Sequence, residues 1–404
     1  MKILVINIPS FSHNVPTIGF LAELVKRSYN VDVVSSSILF PDPALKNLIL
    51  STGANYIDCE MPDNNDISNE DIDEYDPIGG LIAYMCEVAL EYATRIKYDV
   101  IIYDFFLFPV YYFASLTNTP VIRFYSSWVY NEVLYDRMFS SNEKENNINK
   151  WFVVMQNTVM NCLKSKNFKF SINNVRGEMI YNIPPFNIVG LLQEMQPCSN
   201  EIDERFIYVG ASIVSSESNI EVPLERVSAG KVIYASFGTL VNIVEGDKGK
   251  ELFEKIIEAF LNEDVFVFMS IGNGMPMDDL PNIPENFFIS SFLPQTEILP
   301  YSDLFISHGG MNSVNESIYY GVPMLAVPSG QDQIITAEQI EYRKIGKKLL
   351  REFFTPVNIK KAYNEILIDD EIKSNVKKMQ EKIRSSDSAS QTADIIENFI
   401  KQNK

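Results

Sequence analysis

The chain has 404 residues, 46% of them hydrophobic and 22% charged: enough apolar material for sizeable cores, and too much chain for one, so two domains are expected. Its 34 Lys and Arg against 53 Asp and Glu give a formal net charge of -19, which excludes nucleic acid and an anionic membrane as natural partners. The four cysteines, Cys59, Cys86, Cys162 and Cys198, form no C-x-x-C pair and read as free thiols of a reducing cytoplasm, neither a zinc site nor a disulfide framework.

The first residues, "MKILVINI", read as a buried strand. The apolar run is short for a leader, and "PSFSHN" follows where a small-residue cleavage site would stand. "PSFSHNVP" is predicted as a loop, "TIGFLAELVKRS" as a helix and "NVDVVSSS" as a second strand, a βαβ unit that implies a parallel sheet. The acidic, Asn-rich stretch 61–76 reads as an exposed loop. Two further strands are expected in "YDVIIYDFFLF" at 98–108, where Asp104 ends an apolar run, and in "PVIRFYS" at 120–126. Residues 128–182 are aromatic and irregular, predicted helical around a polar middle. The Ser-rich stretch 208–230 carries Pro and Gly and no clear period, and is taken as the interdomain linker.

The alternation then restarts. "KVIYASF" is a strand followed by Gly238-Thr239, "GKELFEKIIEAFLN" a helix, and "VFVFMSIG", "NFFISSFL" and "DLFIS" are strands. "VPMLAVP" is another strand, and "SASQTADIIENFIKQ" an amphipathic helix. No stretch approaches about 18 uninterrupted apolar residues, so no membrane span is expected.

The chain holds only two histidines, and their positions carry the functional argument. His308 stands between the strand "DLFIS" and Gly309-Gly310, with a helix predicted to follow. Paired glycines let a backbone approach a ligand closely, and a helix N-terminus offers free N–H groups with a partial positive charge, so this turn is built for an anion such as a diphosphate. Asn312 and Ser313 add donors there. Glu316, one turn on and on the face of Asn312, would repel phosphate and suits a vicinal diol. Asp332 and Gln333 follow the next strand, at the end where α/β sheets bind ligands, and offer acceptors and donors for sugar hydroxyls.

In this ordered set, residues 292–346 resemble the donor-sugar signature of the UDP-dependent glycosyltransferases (family 1, GT-B fold), shared by plant, macrolide and other natural-product members. The matching segments are "FLPQTEIL", "SDLFISHGGMNSVNESIYYGVPM" and "PSGQDQIITAEQIEYRKIG". Phe292 replaces the plant Trp, and Gly309-Gly310-Met311 replace Cys-Gly-Trp, departures usual in bacterial members. The resemblance implies donor-binding roles. Phe292 or Leu293 would pack on the uracil and Gln295 would lie beside the nucleoside. His308, Gly310, Met311, Asn312 and Ser313 would hold the diphosphate, Glu316 the ribose, and Asp332 and Gln333 the sugar. "YASFGTL" resembles the family's segment at the domain cleft, which puts Thr239 at the β-phosphate.

The other histidine, His13, lies in "PSFSHNVPTIGFLAEL", after the first strand. The segment resembles the family's "GHxxPxxxLAxxL" pattern, with Ser12 in place of Gly, and this implies that His13 is the general base. A neutral imidazole suits removal of an acceptor hydroxyl proton. The family's paired aspartate falls at Asp104, which would orient it. The resemblance implies an α/β GT-B fold, two Rossmann-like domains facing each other across a cleft. Residues 1–220 would bind the acceptor and 221–380 the nucleotide sugar, with 381–404 a C-terminal helix packing back on the N-terminal domain. It implies transfer with inversion from a UDP-sugar, with no cofactor and no metal, so "Asp71-Ile72-Asp73" is read as a chance match to the D-x-D metal pattern.

A lipophilic hydroxylated acceptor is expected: macrolide, flavonoid, other phenolic or sterol-like. The aromatic residues between 103 and 135 either line its cavity or form core. Glucose against another hexose, UDP against dTDP, and monomer against dimer stay open. Alternatives are another GT-B activity (lipid-carrier transfer or sugar-nucleotide epimerisation), a non-catalytic GT-B partner protein, or a dinucleotide oxidoreductase. The acidic charge counts against the lipid carrier, intact His13 and Asp104 against the non-catalytic protein, and the lack of G-x-G-x-x-G after the first strand against the oxidoreductase.

Overall fold

Strands buried on both faces read as unbroken apolar runs and pair in parallel beneath covering helices. The computed structural model describes residues 1–36, 44–59, 77–112, 116–139, 175–214, 220–227, 230–238, 246–272, 275, 280 and 283–403. The chain divides into two units, one made of Met1–Ser212 with Asp387–Lys404, the other of Ile213–Ser386.

In the first unit the strands are β1 (Lys2–Ile6), β2 (Asn30–Ser35), β3 (Asn55–Asp58), β4 (Val100–Asp104), β5 (Val121–Tyr125), β6 (Asn187–Val189) and β7 (Phe206–Tyr208). They pair in the order β3-β2-β1-β4-β5-β6-β7, every ladder parallel. The described helices are α1 (Phe11–Lys26), α2 (Ala44–Ser51), α3 (Pro77–Arg95), α4 (Glu132–Met138) and α5 (Val175–Ile180).

The second unit has β8 (Lys231–Ser236), β9 (Val265–Ser270), β10 (Phe287–Ser290), β11 (Leu304–Ser307), β12 (Met324–Ala326) and β13 (Gly346–Lys348), ordered β10-β9-β8-β11-β12-β13 and again all parallel. Its helices are α6 (Asp247–Phe260), α7 (Gln295–Ile298), α8 (Met311–Tyr320), α9 (Gln331–Tyr342), α10 (Pro356–Ile368) and α11 (Asp370–Ser385). The last helix, α12 (Ser388–Gln402), belongs to the first unit. Several helices start on side-chain caps. Asp387 accepts from Ser390 N at 3.2 Å, and Thr355 accepts from Asn358 N at 3.3 Å just before Pro356, whose fixed φ suits the first helical position.

Both sheets reverse their strand order beside their first strand, between β1 and β4 and between β8 and β11. There the connections leave in opposite directions and a crevice opens at the carboxyl ends, the ligand-binding position of doubly wound sheets.

The structure differs from the sequence reading in places. The short strands β3, β6, β7 and β13 were not expected, and β13, "GKK", has no apolar residue to signal it. α1 begins at Phe11, so His13 lies in its first turn, not in a loop, and Pro16 falls in the second turn. Tyr208, expected in the linker, ends β7, and the units divide at 212/213. The loop at 61–76, with Asp71-Ile72-Asp73, and the middle of 128–182 lie outside the described residues. The aromatic stretch is core: Phe105, Phe108, Phe124, Tyr125, Trp128 and Tyr130 are buried, with Phe106 and Tyr111 half-buried.

α12 seats directly on α1. Arg27 Nη1 meets Asp394 Oδ1 at 2.5 Å, its Nη2 donates to Ser390 Oγ at 2.9 Å, and Ser388 Oγ donates to Gly210 O at 3.0 Å. The approach requires Gly19, where a Cβ would stand 1.8 Å from Ser212 Oγ and 3.3 Å from Ala389 Cβ. Gly19→Val is expected to lower the unfolding free energy of the full chain by about 1–3 kcal/mol in a denaturant titration, because the branched side chain has no room to repack.

Candidate active site

In the first unit a buried amide network sets the turn between β1 and α1. Asn14 Nδ2 donates to Ile8 O and Ser10 O, each at 2.8 Å, and Asn14 Oδ1 accepts from Asn7 Nδ2 at 3.2 Å. Asn7 Nδ2 also reaches Thr17 Oγ1 at 3.2 Å. Asn7, Asn14 and Thr17 are all buried, so this arrangement is stiff. It presents His13 at the carboxyl end of β1, next to Asp104, the last residue of β4.

His13 Nδ1 lies 2.6 Å from Asp104 Oδ2. Asp104 has no exposed surface, and its Oδ1 accepts from Phe106 N at 3.0 Å. A carboxylate can only accept, which puts the imidazole proton on Nδ1 and leaves the Nε2 lone pair as the basic end. The ring stacks on Phe105, centroids 6.0 Å apart and planes at 24°, with Phe106 tilted against it at 5.9 Å. Ser126 Oγ lies 3.3 Å from the same Nδ1.

In the second unit β11 ends at Ser307 and the chain turns through His308 and Gly309, whose φ of +84° falls in the left-handed region that favours glycine. Gly310 precedes α8, and no side chain caps that helix. Its first N–H groups therefore face outward from the turn. A Cβ on Gly310 would sit 2.5 Å from His308 Nε2, and one on Gly238, after β8, 3.2 Å from His308 Cε1. The imidazole thus lies between two glycines, one from each strand at the order reversal. His308 keeps some exposed surface, yet burial of its ring pushes its pKa down to about 4, and it is neutral at pH 7. Its Nδ1 is buried and has no hydrogen-bond partner among the described residues.

Met311, Asn312 and Ser313 form the first turn of α8, all half-buried, and Glu316 follows one turn later. Gln295, which opens α7, donates from Nε2 to Glu316 Oε2 at 2.5 Å. Burial raises the Glu316 carboxyl to about 7, and the Gln295 hydrogen bond acts against that rise. Of the two candidates for a base-stacking surface, Phe292 is 43% exposed and Leu293 only 2%, so Phe292 alone offers a face. Asp332 is exposed in the first turn of α9. Gln333 Oε1 accepts from Ser329 N and Ser329 Oγ, both at 2.9 Å, and from Gly330 N at 3.3 Å, an arrangement that ties down the loop before α9. Thr239 lies outside the described residues.

The structure thus gathers His13 with Asp104 in one unit, and His308, Gly310–Ser313, Glu316 and Gln295 around the start of α8 in the other. Sequence reasoning placed Gly238 directly after a strand but gave it no role, and it missed Asn14 and Ser126, common polar residues whose partners appear only on folding.

Two Rossmann-like units of this kind are the parts of a GT-B fold. The chain matches the family described as erythromycin biosynthesis protein CIII-like, C-terminal domain, over residues 255–399. It is 29% identical to the NDP-glycosyltransferase YjiC of Bacillus licheniformis, over 98% of this chain and 97% of that one. It is 25% identical to the uncharacterized UDP-glucosyltransferase YojK of Bacillus subtilis, over 99% and 98%. Among solved structures, the glycosyltransferase of kitacinnamycin superposes with a TM-score of 0.77 at 22% identity, over 98% of both chains. The calicheamicin glycosyltransferase CalG4 superposes at 0.75 and 22%, over 99% and 98%. The fold is GT-B, and over nearly its whole length the chain is similar to glycosyltransferases.

Glu316 gives a pH prediction. Burial raises its carboxyl from 4.5 to about 7, so the folded protein holds a proton across that window that the unfolded chain releases. The stability this proton supplies is complete below 4.5 and is lost as pH rises to about 7. Glu316→Gln, which keeps the shape without the charge, is expected to raise the melting temperature at pH 8 and to show no advantage near pH 4.5. Thermal unfolding at the two pH values checks this.

Proposed function

We propose that the protein is an inverting hexosyltransferase that moves glucose from UDP-glucose to a hydroxyl of a lipophilic small molecule in the cytoplasm. The observation that carries the reading is the 2.6 Å contact of His13 Nδ1 with buried Asp104. It leaves Nε2 to take the acceptor proton while the acceptor oxygen attacks the anomeric carbon. The bond from that carbon to the diphosphate oxygen breaks in the same step and UDP departs with the bonding pair. An α-linked donor then yields a β-glycoside. Positioned base catalysis of this kind supplies about 10²–10⁴-fold.

The donor falls to the second unit. The N-terminus of α8, with His308, Asn312, Ser313 and the backbone at Gly310 and Met311, would hold the diphosphate. Thr239 would reach the β-phosphate. These groups would take up charge on the leaving UDP, so the reading needs no metal and no cofactor beyond the sugar nucleotide. Glu316 would accept from the ribose diol, shared with Gln295, and Phe292 would cover the uracil. Asp332 would accept from sugar hydroxyls, and Gln333, its oxygen held by the loop, would donate from its NH₂.

Two relatives whose names carry UDP-glucosyltransferase, YojK and YdhE, support the donor. The kitacinnamycin and calicheamicin transferases, and the oleandomycin glycosyltransferase of Streptomyces antibioticus, support a natural-product acceptor. Among the described residues no helix is long and apolar enough to cross a membrane.

The test is incubation with UDP-glucose and a pool of hydroxylated small molecules, with EDTA and no added metal, read by mass spectrometry. Wild type is expected to add a hexose, and His13→Ala to lose about 10²-fold or more of that rate. Asp104→Asn is expected to slow turnover while leaving UDP affinity unchanged in calorimetry. Unimpaired transfer by His13→Ala would remove the base assignment.

A further inference from the structure

The His13 ring has a second neighbour at the nitrogen that faces Asp104. Ser126 is the first residue after β5, is buried, and places Oγ 3.3 Å from Nδ1. Asp104 Oδ2 is closer, at 2.6 Å, and takes the stronger share of the Nδ1 proton. One hydrogen bond fixes a distance and leaves the ring free to swing about it. A second acceptor on the same N–H narrows that swing.

The loop that begins with Ser126 is itself pinned from a distance. Gln196 is 1% exposed, and its side-chain amide pairs with the backbone of Val129 as a neighbouring strand would. Val129 N donates to Gln196 Oε1 at 2.8 Å, and Gln196 Nε2 donates back to Val129 O at 3.0 Å and to Pro197 O at 2.9 Å. Tyr130, next in the loop, lies 6.2 Å from the Phe105 ring, which stacks under His13. The loop therefore touches the imidazole environment twice, once through Ser126 and once through Tyr130 and Phe105.

We propose that Ser126 is a second positioning residue for His13, and that Gln196 sets it in place by pinning the loop it opens. Asp104 decides which nitrogen of His13 carries the proton, and Ser126 with Gln196 decides where the ring points. The inference rests on the reading of His13 as the base, but it makes a claim about the imidazole that holds without any turnover.

The chain's two histidines make that claim observable. In full-length protein labelled with ¹⁵N, two imidazoles give signals, and His13→Ala assigns them. Ser126→Ala is expected to move the His13 ring nitrogens from their wild-type positions and to leave those of His308 alone. Ser126→Thr, which keeps the hydroxyl, is expected to restore them. Gln196→Glu, which keeps the acceptor for Val129 N and loses the donor to Val129 O, is expected to move the same signals in the same direction. Adding it to Ser126→Ala should bring little further change, the non-additivity of residues that act through one contact.

With UDP-glucose and a hydroxycoumarin as probe acceptor, Ser126→Ala should cut kcat about 3–10-fold at unchanged KM for the sugar nucleotide, a loss of the size of one modest hydrogen bond. His13 signals unmoved in Ser126→Ala would overturn the proposal, as would a Gln196→Glu effect that simply adds to it. If the signals move as expected while His13→Ala keeps full transfer activity, the positioning stands and the base assignment is the part that fails.

Discussion

A doubly wound parallel sheet has one place where neighbouring strands send their connections apart, and in both sheets of this protein the candidate site residues gather there. In the first unit β1 and β4 meet at that place, and they supply His13 and Asp104. In the second unit β8 and β11 meet there, and they supply Gly238 and the His308 turn. Residues 91 positions apart, His13 and Asp104, come within 2.6 Å because strand order, and not chain order, sets their neighbours. The remaining features serve to make these two meetings stiff: the Asn7–Asn14–Thr17 network, the glycines around His308, and the tie from Gln333 to Ser329 and Gly330.

The two histidines stand in opposite company. His13 has a carboxylate with no exposed surface at its Nδ1, which under the proposed function would stabilise the cation formed as Nε2 takes the acceptor proton. Burial keeps His308 neutral, and its Nδ1 finds no partner among the described residues. Leaving a buried polar atom unpaired costs about 1–3 kcal/mol. Under the proposed function the ring is held there, in spite of that cost, to stand beside the diphosphate. Glu316 follows the same logic. Its burial disfavours the charged form, and a diol that donates to the carboxylate would favour it again.

The sequence reading reached the long apolar runs, because β1, β4, β5, β8, β9 and β11 are mostly Val, Ile, Leu, Phe and Tyr, and it reached β2 through its three valines. It failed on β3, β6, β7 and β13, short strands that hold together through their neighbours and lack the flanking apolar run that marks the equally short β10, β11 and β12. It also placed the start of α1 too late, since Ser10 makes no side-chain cap and "FSHN" looks like turn residues. Asp104 was readable as the polar end of an apolar strand. Ser126 and Gln196 were not, because their partners lie 113 and 67 residues away and neither residue type marks a site by itself. Between Phe292 and Leu293 the sequence offers no choice, whereas burial leaves only Phe292 with a ring face to offer.

The central claim is a single displacement in which His13 takes the acceptor proton as the bond to UDP breaks. The anomeric configuration of the glycoside formed from UDP-α-glucose, read from the proton coupling at its anomeric carbon by NMR, tests this directly. A β-glycoside is the predicted product. An α-glycoside would mean retention, and would contradict both the single displacement and the part assigned to His13.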